Sequence, residues 1–225
     1  MPFSKIELWD NFCSKYKVLE TGVPLFDNLD RTVSTFQYGK DQRWMLKRSL
    51  EMEKLVIKEV EKVIEDYQQN TNKYEGLIYM MYWVENQRVI PLYIGKSEKF
   101  GKAGNNLSEN IKNIRSNKGF FCRWGYNYAY HIGDLSAIVC VGHNKEKVNP
   151  KYTKWAEKIF VNWPSAYPQL KQGTYFWMQA WNNGNVAIWQ DFGSTSLTFL
   201  EYLLIGVADV LFPDYLLNKE GVNRR

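Results

Sequence analysis

Gly76-Leu77-Ile78-Tyr79-Met80-Met81-Tyr82-Trp83 and, beyond the polar Glu85-Asn86-Gln87-Arg88, Pro91-Leu92-Tyr93-Ile94-Gly95-Lys96-Ser97 decide how this chain folds. Both runs are short, apolar and aromatic, and a few polar residues separate them. That pattern reads as a β-hairpin. The first run, Leu77 to Val84, is apolar on both faces, as a central strand requires. The hairpin presents two phenols, Tyr79 and Tyr93, and ends in a glycine followed by the cation Lys96.

Upstream, Met52, Leu55, Val56, Val60, Val63, Ile64 and Tyr67 recur at helical spacing, and Glu and Lys fill the opposite face. This predicts a long amphipathic helix from about Gln42 to Gln69, docked on a core. Gln69-Asn70-Thr71-Asn72-Lys73 ends it and marks a boundary. A short helix is expected over Ser4 to Lys15. Residues 1–70 therefore read as an N-terminal helical extension, and 71–225 as the core with insertions.

Downstream, Gly101 to Asn106 reads as a turn and Leu107 to Arg115 as a basic helix with Ile111 and Ile114 inward. Ala137 to Val141 reads as a short apolar strand, and Lys151 to Trp163 as a helix stopped by Pro164. Phe176 to Trp181 and Val186 to Trp189, joined by Asn182-Asn183-Gly184-Asn185, read as an inserted hairpin near 174–190. Leu197 to Leu211 is a strongly apolar last helix, ended by Phe212-Pro213. The expected fold is α+β: a small mixed or antiparallel sheet flanked by helices.

Composition narrows the class. The chain has 225 residues, 45% hydrophobic and 24% charged, with 16% aromatic and a net charge of +5. That is ordinary for a globular protein, and the mild basic bias is compatible with an anionic partner. Cys13, Cys122 and Cys140 lie far apart without zinc-site spacing, and read as reduced thiols in a cytoplasmic protein. The first residues lack a signal-peptide core, and no run of apolar residues is long enough to span a membrane.

One acid stands out. Glu201 sits in the last helix among apolar residues three and four positions away. A carboxylate on such a stripe is costly unless it is paired or binds a cation. The residues alone leave open a partner arginine, a helix end reaching solvent, or a metal ion.

The set as a whole resembles the GIY-YIG nuclease superfamily, in particular its restriction endonucleases. Leu77-Ile78-Tyr79 stands where the first triplet belongs, with Leu77 in place of the usual glycine. Tyr93-Ile94-Gly95 matches the second triplet intact. Glu201, Pro213 and Asn218 look like the late helix and its Pro…Asn tail. The resemblance implies hydrolysis of a phosphodiester with one Mg²⁺ or Mn²⁺ held by Glu201. It gives Tyr79 the role of general base, aided by Lys96, and gives Tyr93 that of positioning water or phosphate. It implies an arginine that steadies the phosphate, Arg123 or else Arg115, and His131 as a second proton-handling group. A phenol needs such a neighbouring cation because its reference pKa is about 10. Gly95, Lys99, Lys102, Arg115 and Asn218 would contact DNA. The expected activity is cleavage of double-stranded DNA by a type II restriction-like enzyme acting as a homodimer. A structure-specific or homing-type nuclease, or a non-catalytic DNA-binding module, are the alternatives.

Overall fold

The computed structural model describes residues 4–101, 104, 106–112, 114, 123–124, 128–129, 131–144 and 148–219. In chain order these form α1 (Lys5–Lys15), α2 (Val18–Thr21), β1 (Val23–Pro24), β2 (Asn28–Leu29), β3 (Thr32–Val33), β4 (Thr35–Tyr38), β5 (Arg43–Leu46) and α3 (Leu50–Gln69). The hairpin strands β6 (Tyr74–Glu85) and β7 (Arg88–Glu98) follow. Then come α4 (Glu109–Lys112), β8 (Arg123–Trp124), β9 (Tyr128–Ala129), α5 (Ile132–Val139), α6 (Lys151–Ile159), β10 (Tyr175–Asn182) and α7 (Leu197–Leu211). The fold is α+β, and no helix among the described residues is long and apolar enough to cross a membrane.

The central sheet is antiparallel and four-stranded, in the order β1-β10-β6-β7. Its heart is the hairpin read from sequence. Asn86 and Gln87 both adopt positive φ, 50° and 62°, in the two-residue connection between Glu85 and Arg88. Two left-handed residues match the twist of the flanking strands. The register shifts between Met81 and Tyr82, so Tyr82 faces Pro91 while Met81 faces Tyr93. Tyr79 then faces Gly95. The ring of Tyr79 lies over that glycine: a Cβ at position 95 would meet Cε2 of Tyr79 at 2.6 Å.

The helices dock where their apolar faces predict. In α1, Ser4 accepts from the N–H of Glu7 and the Glu7 carboxylate accepts from the N–H of Ser4, a reciprocal cap. Leu8, Trp9, Phe12 and Cys13 are its buried face. In α7, the Ser196 hydroxyl caps the first turn, and Glu75 of β6 accepts from the N–H of Leu197 at 2.7 Å. Trp9, Trp155, Trp177 and Trp181 are fully buried. Cys13 and Cys140 are buried free thiols, and burial pushes the Cys140 thiol up to about 12. Cys122 lies outside the described residues.

Four local expectations are corrected. The long helix begins at Leu50, where Ser49 accepts from the N–H of Met52 at 2.9 Å; Arg43–Leu46 instead pairs with β4. Residues 1–70 are not helical throughout, since they supply β1 to β5 and β1 is the fourth strand of the central sheet. The run Ala137 to Val141 is no strand: residues up to Val139 belong to α5, nearly all of whose residues are buried. A short, uniformly apolar run does not separate a buried helix from a buried strand by its period.

The fourth correction concerns the hairpin near 174–190. β10 is a single strand within the main sheet, and Val186 makes only an isolated bridge to Ser194. The N–H of Ala180 donates to Glu59 of α3 at 2.9 Å. A partner strand from 186–189 would need that edge, and the buried Glu59 carboxylate holds it.

Candidate active site

A cleft of about 530 Å³ opens beside β7, lined by Tyr93, His131, Asp134, Lys151, Tyr152, Glu201 and Asn218, among others. Glu201 and Tyr93, far apart in sequence, meet here. A groove of about 620 Å³ bordered by Leu29, Trp44 and Tyr167 is larger, but its lining carries one carboxylate, Asp30, and no cation. Convergence of titratable groups, and not size, selects the cleft beside β7.

Each wall is positioned by a different element. Tyr93 stands on β7 and packs at a tilt of 49° against Trp155 of α6, ring centroids 4.9 Å apart. His131 precedes α5 in a left-handed conformation, φ 56°, which turns its ring toward Tyr93 at 5.0 Å. Its Nδ1 lies within hydrogen-bonding distance of the Tyr152 hydroxyl. Lys151 opens α6, and its ammonium lies 5.8, 5.6 and 5.9 Å from the ring centres of Tyr93, Tyr152 and Trp155. Ring faces attract a cation held at such distances.

The electrostatics follow from burial and from that lysine. His131 is 3% exposed. Burial, with the Lys151 charge adding to it, holds its pKa down to about 3. It is therefore neutral at physiological pH and weakly basic, suited to orienting a hydrogen-bond partner and not to storing a proton. This amends the proton-handling role expected for it. Burial raises the Asp134 carboxyl above its ordinary value, and Lys151 opposes that shift. Burial also raises the Tyr152 phenol, keeping it protonated.

The sequence-predicted residues divide clearly. Tyr93, His131, Glu201 and Asn218 line the cleft together. Tyr79 is 1% exposed, stacked against Phe176 at 6.1 Å and Tyr93 at 6.5 Å. It supports Tyr93 from behind, and a phenol so buried is a poor fit to the role of general base. Gly95 is buried and makes room for the Tyr79 ring, a steric role in place of the ligand contact expected for it.

Three further assignments change. Lys96 lies one residue from Gly95 and three from Tyr93, both odd spacings, so the two-residue period of a strand puts it on the opposite face. There it pairs with Glu98, and it does not line the cleft. Lys99 is 1% exposed and bonds to Asp66 at 2.6 Å, so it is a buried structural cation and not part of a DNA-binding rim. Asn218 accepts from the N–H of Ile94 at 3.0 Å and donates to its carbonyl at 2.8 Å. With Leu217 N–H donating to Leu92 O at 2.7 Å, the tail closes the outer edge of β7. The amide of Asn218 is therefore committed to backbone and positions the Tyr93 strand. Of Arg123 only the backbone, in β8 paired with β9, is described. Lys102 and Arg115 lie outside the described residues.

Lys151, Tyr152 and Asp134 were not singled out from sequence. Lys151 and Tyr152 read only as the start of a helix. No local spacing marks them, because α5 and α6 meet β7 only through packing. Lys96, by contrast, was legible: strand alternation alone separates it from Tyr93.

Comparison of the chain with models of protein families, with curated proteins and with solved structures gave no match. The donor set bears on the metal that the resemblance implies. Among the described residues no three of His, Cys, Asp and Glu cluster as a cage. Glu201 and Asp134 nevertheless line one open cleft. Mg²⁺ keeps much of its water and is commonly held by one or two carboxylates together with substrate phosphate. The residues present fit that mode of binding.

Proposed function

We propose that this protein is a metal-dependent endonuclease that hydrolyses phosphodiester bonds in double-stranded DNA. The observation that carries this reading is the meeting of Glu201 from the last helix with Tyr93, His131 and Lys151 in a single cleft. Glu201, with Asp134 lining the same cleft, would hold a divalent ion. Such an ion supplies Lewis-acid charge at the phosphate and lowers the pKa of a bound water.

The protein's own groups do the rest. Tyr93 offers a hydroxyl fixed by Trp155 and Tyr79 behind it. Neutral His131, anchored by Tyr152, packs edge-on against the Tyr93 ring and steadies it. Asn218 and Leu217 hold the strand that carries Tyr93. The net charge of +5 favours approach to a polyanion. Two copies, each cutting one strand, would give a type II restriction-like action.

Supercoiled plasmid incubated with Mg²⁺ or Mn²⁺ tests the reading. Wild type should nick and linearise it, and Glu201→Ala should abolish both. Absence of cleavage by wild type, or full cleavage by the variant, sinks the proposal. Discrete fragments would mark restriction-like specificity, whereas cuts confined to flaps or junctions would mark a structure-specific nuclease.

A further inference from the structure

We infer that the outer face of α7 is the surface on which a second copy of this chain docks. The helix turns Leu200, Leu204 and Val207 into the core. Phe199, Tyr202, Leu203, Gly206 and Val210, spaced by threes and fours, share its other side. Phe192 extends this stripe past the start of the helix, its ring 5.3 Å from that of Phe199. Phe192, Phe199, Tyr202 and Val210 are 54%, 41%, 55% and 47% exposed. At about 150–250 Å² per aromatic side chain, the three rings alone leave about 300 Å² in water, the size at which an exposed patch marks an interaction site. A stable dimer covers about 800 Å² on each partner, so the stripe supplies the apolar centre of such an interface and its polar neighbours the rim.

Gly206 is a second, independent mark. Glycine inside a helix is destabilising relative to alanine, because it loses more backbone freedom on folding. Packing within the chain does not call for it: a Cβ at 206 would meet no atom of the described residues within 4 Å. A missing side chain does serve the close approach of another helix, whose distance is set by the residues at the contact. Charge selects the occupant. The stripe itself holds no charged residue, and Asp209 only borders it. A polyanion needs cations there. In a two-fold pair the same patch meets itself, which a neutral apolar stripe does without setting like charges face to face. Tyr202 also lines the cleft with Glu201. A copy docked on this face therefore sits beside the cleft, and two-fold symmetry sets two clefts about one interface. The bearing of this face on double-strand cleavage rests on the nuclease reading; the docking itself does not.

The test is sedimentation equilibrium of the full chain over a concentration series, with wild type, Phe199→Arg and Gly206→Ala. Wild type should show a monomer–dimer equilibrium. Phe199→Arg sets two cations against each other across the axis and should raise the dimer Kd by about 100-fold. Gly206→Ala should act with opposite signs on fold and dimer. It should raise the urea midpoint of the monomer, since alanine is the better helix former, and weaken the dimer by about tenfold. Circular dichroism checks that both variants fold, and Gly206→Ala decides the matter if Phe199→Arg does not. Wild type that stays monomeric throughout overturns the inference. So does a dimer whose Kd neither substitution changes, since it forms through another face. Plasmid cleavage with Mg²⁺ separates the two readings. A wild-type dimer that cuts nothing sinks the nuclease reading and leaves the docking face standing. A monomeric Phe199→Arg protein that nicks without linearising ties the face to double-strand cleavage, and undiminished linearisation by it refutes that tie.

Discussion

Tyr79 and Gly95 face each other in the β6–β7 register, and the phenol ring crosses directly over the glycine, leaving no room for a side chain there. The glycine of the Tyr-Ile-Gly triplet thus has a steric reason that concerns its neighbour strand and not a ligand. Gly95→Ala should destabilise the protein by about 1–3 kcal/mol through overpacking. In a Tyr79→Ala background the same substitution should cost close to nothing, since the crowding partner is gone. Urea unfolding of the four proteins measures this. Equal losses in both backgrounds would refute the crossing.

Lys99 and Asp66 form a buried ion pair, 1% and 2% exposed at their side chains. Burial by itself would raise the Asp66 pKa. Hydrogen bonds from Lys99, the Thr71 hydroxyl and the N–H groups of Lys73 and Tyr74 outweigh it and hold the carboxyl at about 2. The folded pKa is below the unfolded value, so this stability is present above about pH 4 and is lost as pH falls toward 2. Lys99→Met should cost about 3–5 kcal/mol by stranding the carboxylate. The paired replacement Lys99→Met with Asp66→Asn should cost less than Lys99→Met alone. A mild effect of Lys99→Met on the denaturation midpoint, with loss of DNA affinity, would restore the lysine to a surface role.

His131 carries a second pH dependence. Its folded pKa, about 3, lies below the ordinary histidine value. The unfolded chain therefore binds the extra proton first as pH falls. The contribution to stability is complete above about pH 6.5 and declines toward pH 3, by about 2 kcal/mol between pH 6.5 and 5. His131→Asn should flatten the stability profile in that window, as read from urea midpoints at several pH values. A His131→Asn profile as steep as wild type would show that the decline arises elsewhere.

Asn218 substitutes for a missing strand at the outer edge of β7 by bonding both backbone groups of Ile94. Asn218→Ala should cost about 1–3 kcal/mol in stability. It should also accelerate hydrogen exchange at the Ile94 amide more than at amides of β6. Uniform exchange rates along β7 in the variant would argue against this pinning.

Much of the fold was legible because its signals are local. Two continuously apolar runs and a polar break define the hairpin around Asn86 and Gln87. Helical spacing and a capping serine define α1, α3 and α7. Where a run was uniformly apolar, as at Ala137, the same reasoning had no period to use. Where a strand edge was at stake, as at Ala180, the deciding group was Glu59, 121 positions away.

The sequence alone determined that a hairpin bears Tyr79 and Tyr93 and that Glu201 rides on the last apolar helix, because apolar runs bounded by polar breaks write burial into the residue order. Tertiary structure decided which of those groups share a cleft. It set Tyr79 behind Tyr93, turned Lys96 away, buried Lys99 against Asp66 and brought Lys151 and His131 to the wall beside Glu201. Those outcomes depend on contacts between elements distant in the chain, where packing and the cost of burying charge decide what no local spacing can encode.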